Sequence, residues 1–198
     1  QYRSLYSCLY SSKPEVVKLL EGIPLSEYEE IVTDEEDLYK LFTDNFENIP
    51  VRFYQDDMLP LSKLYSIDTH LKEALGKKVW LKCGGYLVIE PTEAMVVIDV
   101  NSGKTDSHRK EKETYYLKIN LEAAKEVARQ LRIRNYSGMI MVDFINMEDK
   151  ENNKILLSAL DEYLRKDTTK TRLVDMTALG IVEITRKKER KPLSEWLL

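Results

Sequence analysis

Cys83-Gly84-Gly85-Tyr86-Leu87-Val88-Ile89-Glu90-Pro91-Thr92-Glu93-Ala94-Met95-Val96-Val97-Ile98-Asp99-Val100-Asn101-Ser102-Gly103-Lys104 decides how this chain folds. It reads as two strands and a turn. Tyr86 to Ile89 is apolar and rich in strand formers. Pro91, with no N–H for a ladder, is expected to interrupt that strand. Met95 to Val100 is a second strand with Asp99 near its end, and Asn101-Ser102-Gly103 breaks it. A carboxylate within Val-Ile-Asp-Val is costly to bury without compensation. The polar turn just after it suggests a rim that an ion or substrate can approach.

Met139-Ile140-Met141-Val142-Asp143-Phe144 repeats the idea. It is another apolar strand with an Asp near its end. If the two strands are neighbours, Asp99 and Asp143 project at one edge of one sheet. Two carboxylates that close repel each other, and a divalent cation is the simplest compensation.

Several joined stretches resemble the ribonuclease E/G catalytic core. They are Gly84 to Lys104, Asn120-Leu121-Glu122-Ala123-Ala124, Ala128-Arg129-Gln130-Leu131-Arg132-Ile133-Arg134 and Val142-Asp143-Phe144-Ile145-Asn146-Met147. The resemblance implies a mixed α/β (α+β) fold. Residues 1–76 would be a partial RNase H-like subdomain, and residues 77–198 a DNase I-like catalytic subdomain with a mixed sheet. It implies that Asp99 and Asp143 are the ligands of Mg²⁺, with Mn²⁺ as the alternative ion. Asn101 is implied as the supporting catalytic residue. The implied reaction is internal hydrolysis of single-stranded RNA to 5′-phosphate and 3′-hydroxyl ends, as in RNA processing and decay.

The resemblance also marks departures. Lys170 stands where the family usually has an Arg near the RNA 5′ end, so the bidentate fork is absent. Asn146 stands where Asp is usual, and the loop after Lys104 lacks the usual aromatic-x-Gly. The OB-fold RNA-binding domain, the 5′-monophosphate sensor and the paired zinc-link cysteines are not matched in this sequence. Zinc-linked assembly is therefore not expected, and a homodimer would form through the DNase I-like surface.

The bulk numbers agree with a globular chain of one large or two small domains: 198 residues, 43% hydrophobic, formal charge −4. Charge is uneven. Residues 1–60 hold five Lys/Arg and thirteen Asp/Glu, a balance of −8, whereas residues 104–134 hold nine and five, a balance of +4. A polyanion should meet the middle of the chain. Candidate RNA or phosphate contacts are Lys104, Arg109, Lys110, Arg129, Lys170 and Arg172. Cys8 and Cys83 form no Cys-x-x-Cys pair and read as reduced thiols, Cys83 packing in the core. No apolar run approaches the ~20 residues of a membrane span, and a cytoplasmic location is expected. His70 and His108 lack metal partners in sequence and read as structural or surface residues.

Along the chain, helices are expected at Tyr2–Leu9, from about Asp34 through Phe42, at Ile67–Leu75, Thr114–Asn135 and Lys154–Lys166. Gly76 closes the third of these. Leu117, Leu121, Ala124, Ala128 and Leu131 form an apolar stripe on the fourth. Lys118, Lys125, Arg129 and Arg132 form a basic stripe beside it. Further strands are expected at Val51–Tyr54, Lys77–Leu81, Arg172–Met176 and Ile181–Thr185. Thr105 to Lys112 and Glu148 to Asn153 are expected loops, and Arg186 to Lys191 a basic tail. Two competing functions remain: a fold-retaining RNA-binding or scaffold module with little turnover, and a metal-dependent phosphohydrolase acting on another nucleic acid.

Overall fold

The computed structural model describes residues 12–21, 23, 28–103 and 109–196, and for 109–111 the backbone alone. The expected helix Tyr2–Leu9, Cys8, Lys104 and His108 lie outside the described residues. The chain forms two compact units that meet in sequence between Asp68 and Thr69. Its architecture is mixed α/β.

The first unit is small. Helix α1 (Glu15–Glu21) precedes strand β1 (Ile31–Thr33), helix α2 (Glu36–Asn45) and strand β2 (Val51–Phe53). β1 and β2 are parallel, with Ile31 opposite Val51, and α2 is the crossover between them. Val17, Phe42, Phe46 and Ile49 are its buried core, with Leu38 and Leu41 packed against them. Acidic residues open α2: Glu35 is the N-cap, and Glu36 and Asp37 occupy the first turn, where the helix dipole favours them. Asp56 lies in a turn, accepting from the backbone N–H groups of Met58 and Leu59. That carboxylate serves the turn, as an Asx motif does. A single-turn helix α3 (Leu61–Leu64) leads to α4 (Ile67–Leu75).

The second unit carries a six-stranded mixed sheet. Its strands are β3 (Lys78–Trp80), β4 (Tyr86–Pro91), β5 (Met95–Asn101), β6 (Gly138–Asp143), β7 (Thr171–Met176) and β8 (Ile181–Arg186). They lie in the order β3-β4-β5-β6-β8-β7. Only β5 and β6 are parallel, joined by the long crossover helix α5 (Arg109–Arg134). Helix α6 (Lys150–Leu164) connects β6 to β7.

Strand alternation separates the two faces of this sheet. Leu87, Ile89, Val96, Ile98, Val100, Ile140, Val142, Val182 and Ile184 point to one face. There they form a single core with Ile119, Ala123, Val127, Leu131, Leu156, Leu160 and Leu164 of α5 and α6. The opposite face carries Lys78, Trp80, Tyr86, Asp99, Asn101, Met139, Asp143 and Glu183, and is exposed or half-buried.

Several sequence expectations need correction. Pro91 does not interrupt β4. It is the last residue of that strand, opposite Val96, in the pair next to the one where the Thr92 N–H donates to Met95. In antiparallel pairing bonded and non-bonded pairs alternate, so a proline is tolerated there. Asn101 ends β5 rather than breaking it. α5 begins at Arg109 and α6 at Lys150, inside segments expected to be loops. The Asp149 carboxylate caps α6 by accepting from Glu151 N–H. The buried stripe of α5 runs through Ile119, Ala123 and Val127, while Leu117 and Leu121 are only half-buried.

Arg186 is no part of a solvated tail. It is the buried end of β8, bonded to Asp167 at 2.8 Å, to the Asn135 side chain at 2.8 Å and to the Tyr136 carbonyl at 3.1 Å. Burial pushes the Asp167 carboxyl up, but bonds from Arg186, the Thr169 N–H and the Thr171 hydroxyl, with the charge of Arg186, outweigh it. The carboxyl is therefore held below its ordinary value. Arg134, also buried, donates to Gln130 at 2.7 Å and to the Gly76 carbonyl at 2.6 Å. It thereby satisfies a carbonyl at the end of α4, where a cation also suits the dipole.

Candidate functional site

The site is built where β5 and β6 end. Asp99 and Asp143 are direct register partners in the parallel pair. Parallel neighbours lie about 4.8 Å apart, and partners in register present their side chains on the same face. Both residues are exposed, on the face that α5 and α6 leave open. The burial cost expected for Asp99 therefore does not arise; mutual repulsion is what the pair has to offset. The Asn101 amide donates to Asp99 Oδ2 at 2.7 Å, holding one carboxylate oxygen and leaving the rest of the pair free to face outward.

Glycines make this corner possible. A Cβ on Gly85 would stand 2.8 Å from the Asn101 carbonyl oxygen and 3.1 Å from Ile119. Gly103 has φ +71°, and a Cβ there would meet the Gly84 carbonyl at 2.9 Å. The Gly84-Gly85 turn thus packs against the end of β5 at a distance that only glycine permits.

Helix α5 fixes the surrounding loops from behind. Asn120 is fully buried; it donates to the Ile145 carbonyl at 2.8 Å and accepts from the Ile145 N–H at 3.1 Å. That clamp holds the chain two residues beyond Asp143. Glu122 accepts from the N–H groups of Lys82 and Cys83, fixing the turn that enters β4. Glu113 accepts from Asp149 N–H, from the Asn152 amide and from Glu148 N–H; the first of these most strongly holds its carboxyl below the usual carboxylate range, against the effect of burial. In sequence, Asn120 and Glu122 stand within Asn120-Leu121-Glu122-Ala123-Ala124 with no role assigned to either. The signal was there: a polar pair within a buried helical stripe must be satisfied by something.

Among the described residues, the basic candidates Arg129, Lys170 and Arg172 do not gather around the acid pair. Arg129 is exposed and pairs with Glu126 at 2.9 Å on α5. That helix covers the sheet face opposite the one bearing Asp99. Lys170 precedes β7, and Arg172 lies opposite Thr185, which itself lies opposite Met139. Both are at the end of the sheet remote from Asp143, roughly 13 Å along the strands at about 3.3 Å per residue. The side chains of Arg109 and Lys110 lie outside the described residues. His70 is exposed. Cys83 is half-buried against the core, and burial is the main influence raising its thiol pKa.

Residues 1–189 match the Ribonuclease E/G family. The chain belongs to the ribonuclease E/G family. It is 41% identical to ribonuclease G of Escherichia coli K12 over 138 residues, covering 70% of this chain and 28% of that protein. Ribonuclease G of Haemophilus influenzae is 43% identical over 138 residues, with the same two shares. Ribonuclease E of Nostoc sp. is 43% identical over 139 residues, covering 70% of this chain and 20% of that protein. The chain thus spans less than a third of the length of these ribonuclease E/G relatives.

The donor set suits a hard divalent ion. Among the described residues no cluster of three Asp, Glu, His or Cys is present. Mg²⁺ does not need one: it takes one or two carboxylates and keeps several waters. Two exposed carboxylates side by side, one steadied by an amide, fit that preference. No helix among the described residues is long and apolar enough to cross a membrane.

Proposed function

We propose that this chain carries the hydrolytic site of an endoribonuclease that cuts single-stranded RNA in RNA processing and decay. Residues 77–198 act as its DNase I-like catalytic subdomain and residues 1–76 as a partial RNase H-like one. The observation that carries this reading is the register of Asp99 opposite Asp143, with Asn101 bonded to Asp99. Asp99 and Asp143 would hold Mg²⁺, or Mn²⁺ in its place. When bound, the ion supplies Lewis-acid polarisation of a phosphodiester and a water of lowered pKa. The protein supplies placement. Asn101 orients one Asp99 oxygen, Asn120 and Glu122 hold the flanking loops, and the open sheet face lets an extended chain approach. Water as the nucleophile leaves 5′-phosphate and 3′-hydroxyl ends.

The test is cleavage of a 5′-monophosphorylated single-stranded RNA in Mg²⁺. Asp99→Asn and Asp143→Asn are each expected to abolish it while leaving the circular dichroism spectrum unchanged. Cleavage that survives either change removes that residue from the site. A folded chain that binds RNA but never cuts it, with or without Mg²⁺, would favour the scaffold reading instead.

A further inference from the structure

Beside the acid pair, on the same open face, lies a group of side chains to which neither the fold nor the hydrolytic site gives a use. Trp80 is 66% exposed. Its ring centroid is 5.2 Å from that of Tyr86, and Lys78 Nζ lies 4.0 Å from the Trp80 centroid and 3.6 Å from that of Tyr86. Pairing places this group relative to the site. Lys78 lies opposite Val88, which lies opposite Asp99; Trp80 lies opposite Tyr86, which lies opposite Asn101. The three residues thus share rows of the sheet with the acid pair and its amide. Single exposed aromatics are common and need no explanation. Two rings and an ammonium in contact with one another, in the same two rows as a candidate hydrolytic site, are a different matter.

The other flank of the open face has the opposite character. There Glu183 lies opposite both Met141 and Asp175. Near the acid pair a polyanion therefore meets Glu183 and Asp175 on the β8 and β7 side and Lys78 on the β3 side, Arg172 of β7 lying at the remote end of the strands. From β5 to β3 is two strand spacings, about 10 Å. That is about three nucleotides at a stacked rise of 3.4 Å. Aromatic faces are sequence-tolerant platforms for bases, and a neighbouring Lys offers its charge to the backbone.

We propose that Lys78, Trp80 and Tyr86 form a stacking platform for one base of single-stranded RNA, within about three nucleotides of the phosphate held at Asp99 and Asp143. The platform rests on the endoribonuclease reading for its substrate class, but its test needs no catalysis. Binding of a short 5′-monophosphorylated single-stranded oligoribonucleotide with cleavage-resistant linkages is measured in Mg²⁺, so that the acid pair can accept a phosphate, by tryptophan fluorescence and by anisotropy of a labelled strand. The sequence has two tryptophans. A Trp196→Phe background therefore assigns the fluorescence to Trp80.

The expected result is quenching on RNA addition. Trp80→Ala should weaken binding about 5-fold to 100-fold, the range of one lost base stack. Trp80→Phe should stay within about 3-fold of the parent because a ring remains. Duplex RNA, whose bases are already stacked, should neither quench nor respond to the substitution. Equal affinity of the parent and Trp80→Ala overturns the proposal, as does a parent chain that binds no RNA. So does a Trp80→Ala chain whose oligomeric state changes by light scattering while its RNA affinity does not, since the rings would then serve contact between copies. Loss of cleavage in Asp99→Asn is scored separately in Mg²⁺. Platform and nuclease can therefore fail independently.

Discussion

Asn120→Ala tests whether α5 positions the acid pair from behind the sheet. Asn120 is fully buried and bonds both backbone groups of Ile145, at 2.8 and 3.1 Å. Each such bond contributes about 1 kcal/mol net, and a backbone group left unpaired in a buried setting costs about 1–3 kcal/mol. Ile145 itself is half-buried, so water can partly replace the lost partners. The expected loss lies in the lower part of the combined range, about 2–3 kcal/mol. Urea unfolding followed by circular dichroism should show it as a lower midpoint with an unchanged slope. The same clamp holds the segment just after Asp143, so affinity for Mn²⁺ should fall several-fold in the folded variant. Leu156→Ala is the control. Leu156 is fully buried on α6, and its truncation costs about 2–5 kcal/mol without touching the loops at the strand ends. The reasoning is refuted if Asn120→Ala costs less than about 1 kcal/mol, or if its Mn²⁺ affinity equals that of the Leu156→Ala control.

Other expectations follow from the same geometry. Gly85→Ala forces a methyl against the Asn101 carbonyl and Ile119. It should cost about 1–3 kcal/mol as overpacking does, read as a lower urea midpoint, together with weaker Mn²⁺ binding as Asn101 moves. Asp167→Ala leaves Arg186 buried and unpaired, and should cost about 3–5 kcal/mol at neutral pH. Because the folded Asp167 carboxyl is held below its ordinary value, the stability it contributes is complete above the unfolded value of about 3.9. It is lost as pH falls through the lower, folded value. The gap in midpoint between the parent and Asp167→Ala should therefore close toward pH 3; a gap that widens on acidification contradicts the assigned sign.

The central strands, α4 and the acid pair were legible because their signals are local. Tyr86–Ile89, Met95–Val100 and Met139–Asp143 are short apolar runs bounded by turn residues, and Ile67–Leu75 has its stop at Gly76. The helix starts were not legible. The first turns of α5 and α6 are charged, so no apolar period marks them; at α6 the carboxylates of Glu113 and Asp149 accept from the backbone N–H groups that open the helix. The later part of the expected α5 stripe, Ala124, Ala128 and Leu131, is buried, while Leu117 and Leu121 at its start are half-buried. A third of the helix's described buried residues are Asn120, Gln130 and Arg134, which a search for apolar residues passes over, and Ala123 and Ala124 bury little area for their importance to close helix–sheet approach. Arg186 hid inside a run of basic residues, although only its neighbours are solvated. Lys78, Trp80 and Tyr86 span an entire hairpin in sequence. Only strand register brings them into line with Asp99 and Asn101, and no spacing rule along the chain reports that.

The most direct measurement is Mn²⁺ binding followed by electron paramagnetic resonance, with Mg²⁺ as competitor. The parent chain should bind one ion per chain in competition with Mg²⁺, while Asp99→Asn and Asp143→Asn, each still folded, should lose that site. Undiminished binding in either variant would contradict the account, because two neighbouring carboxylates would then not be what holds the ion.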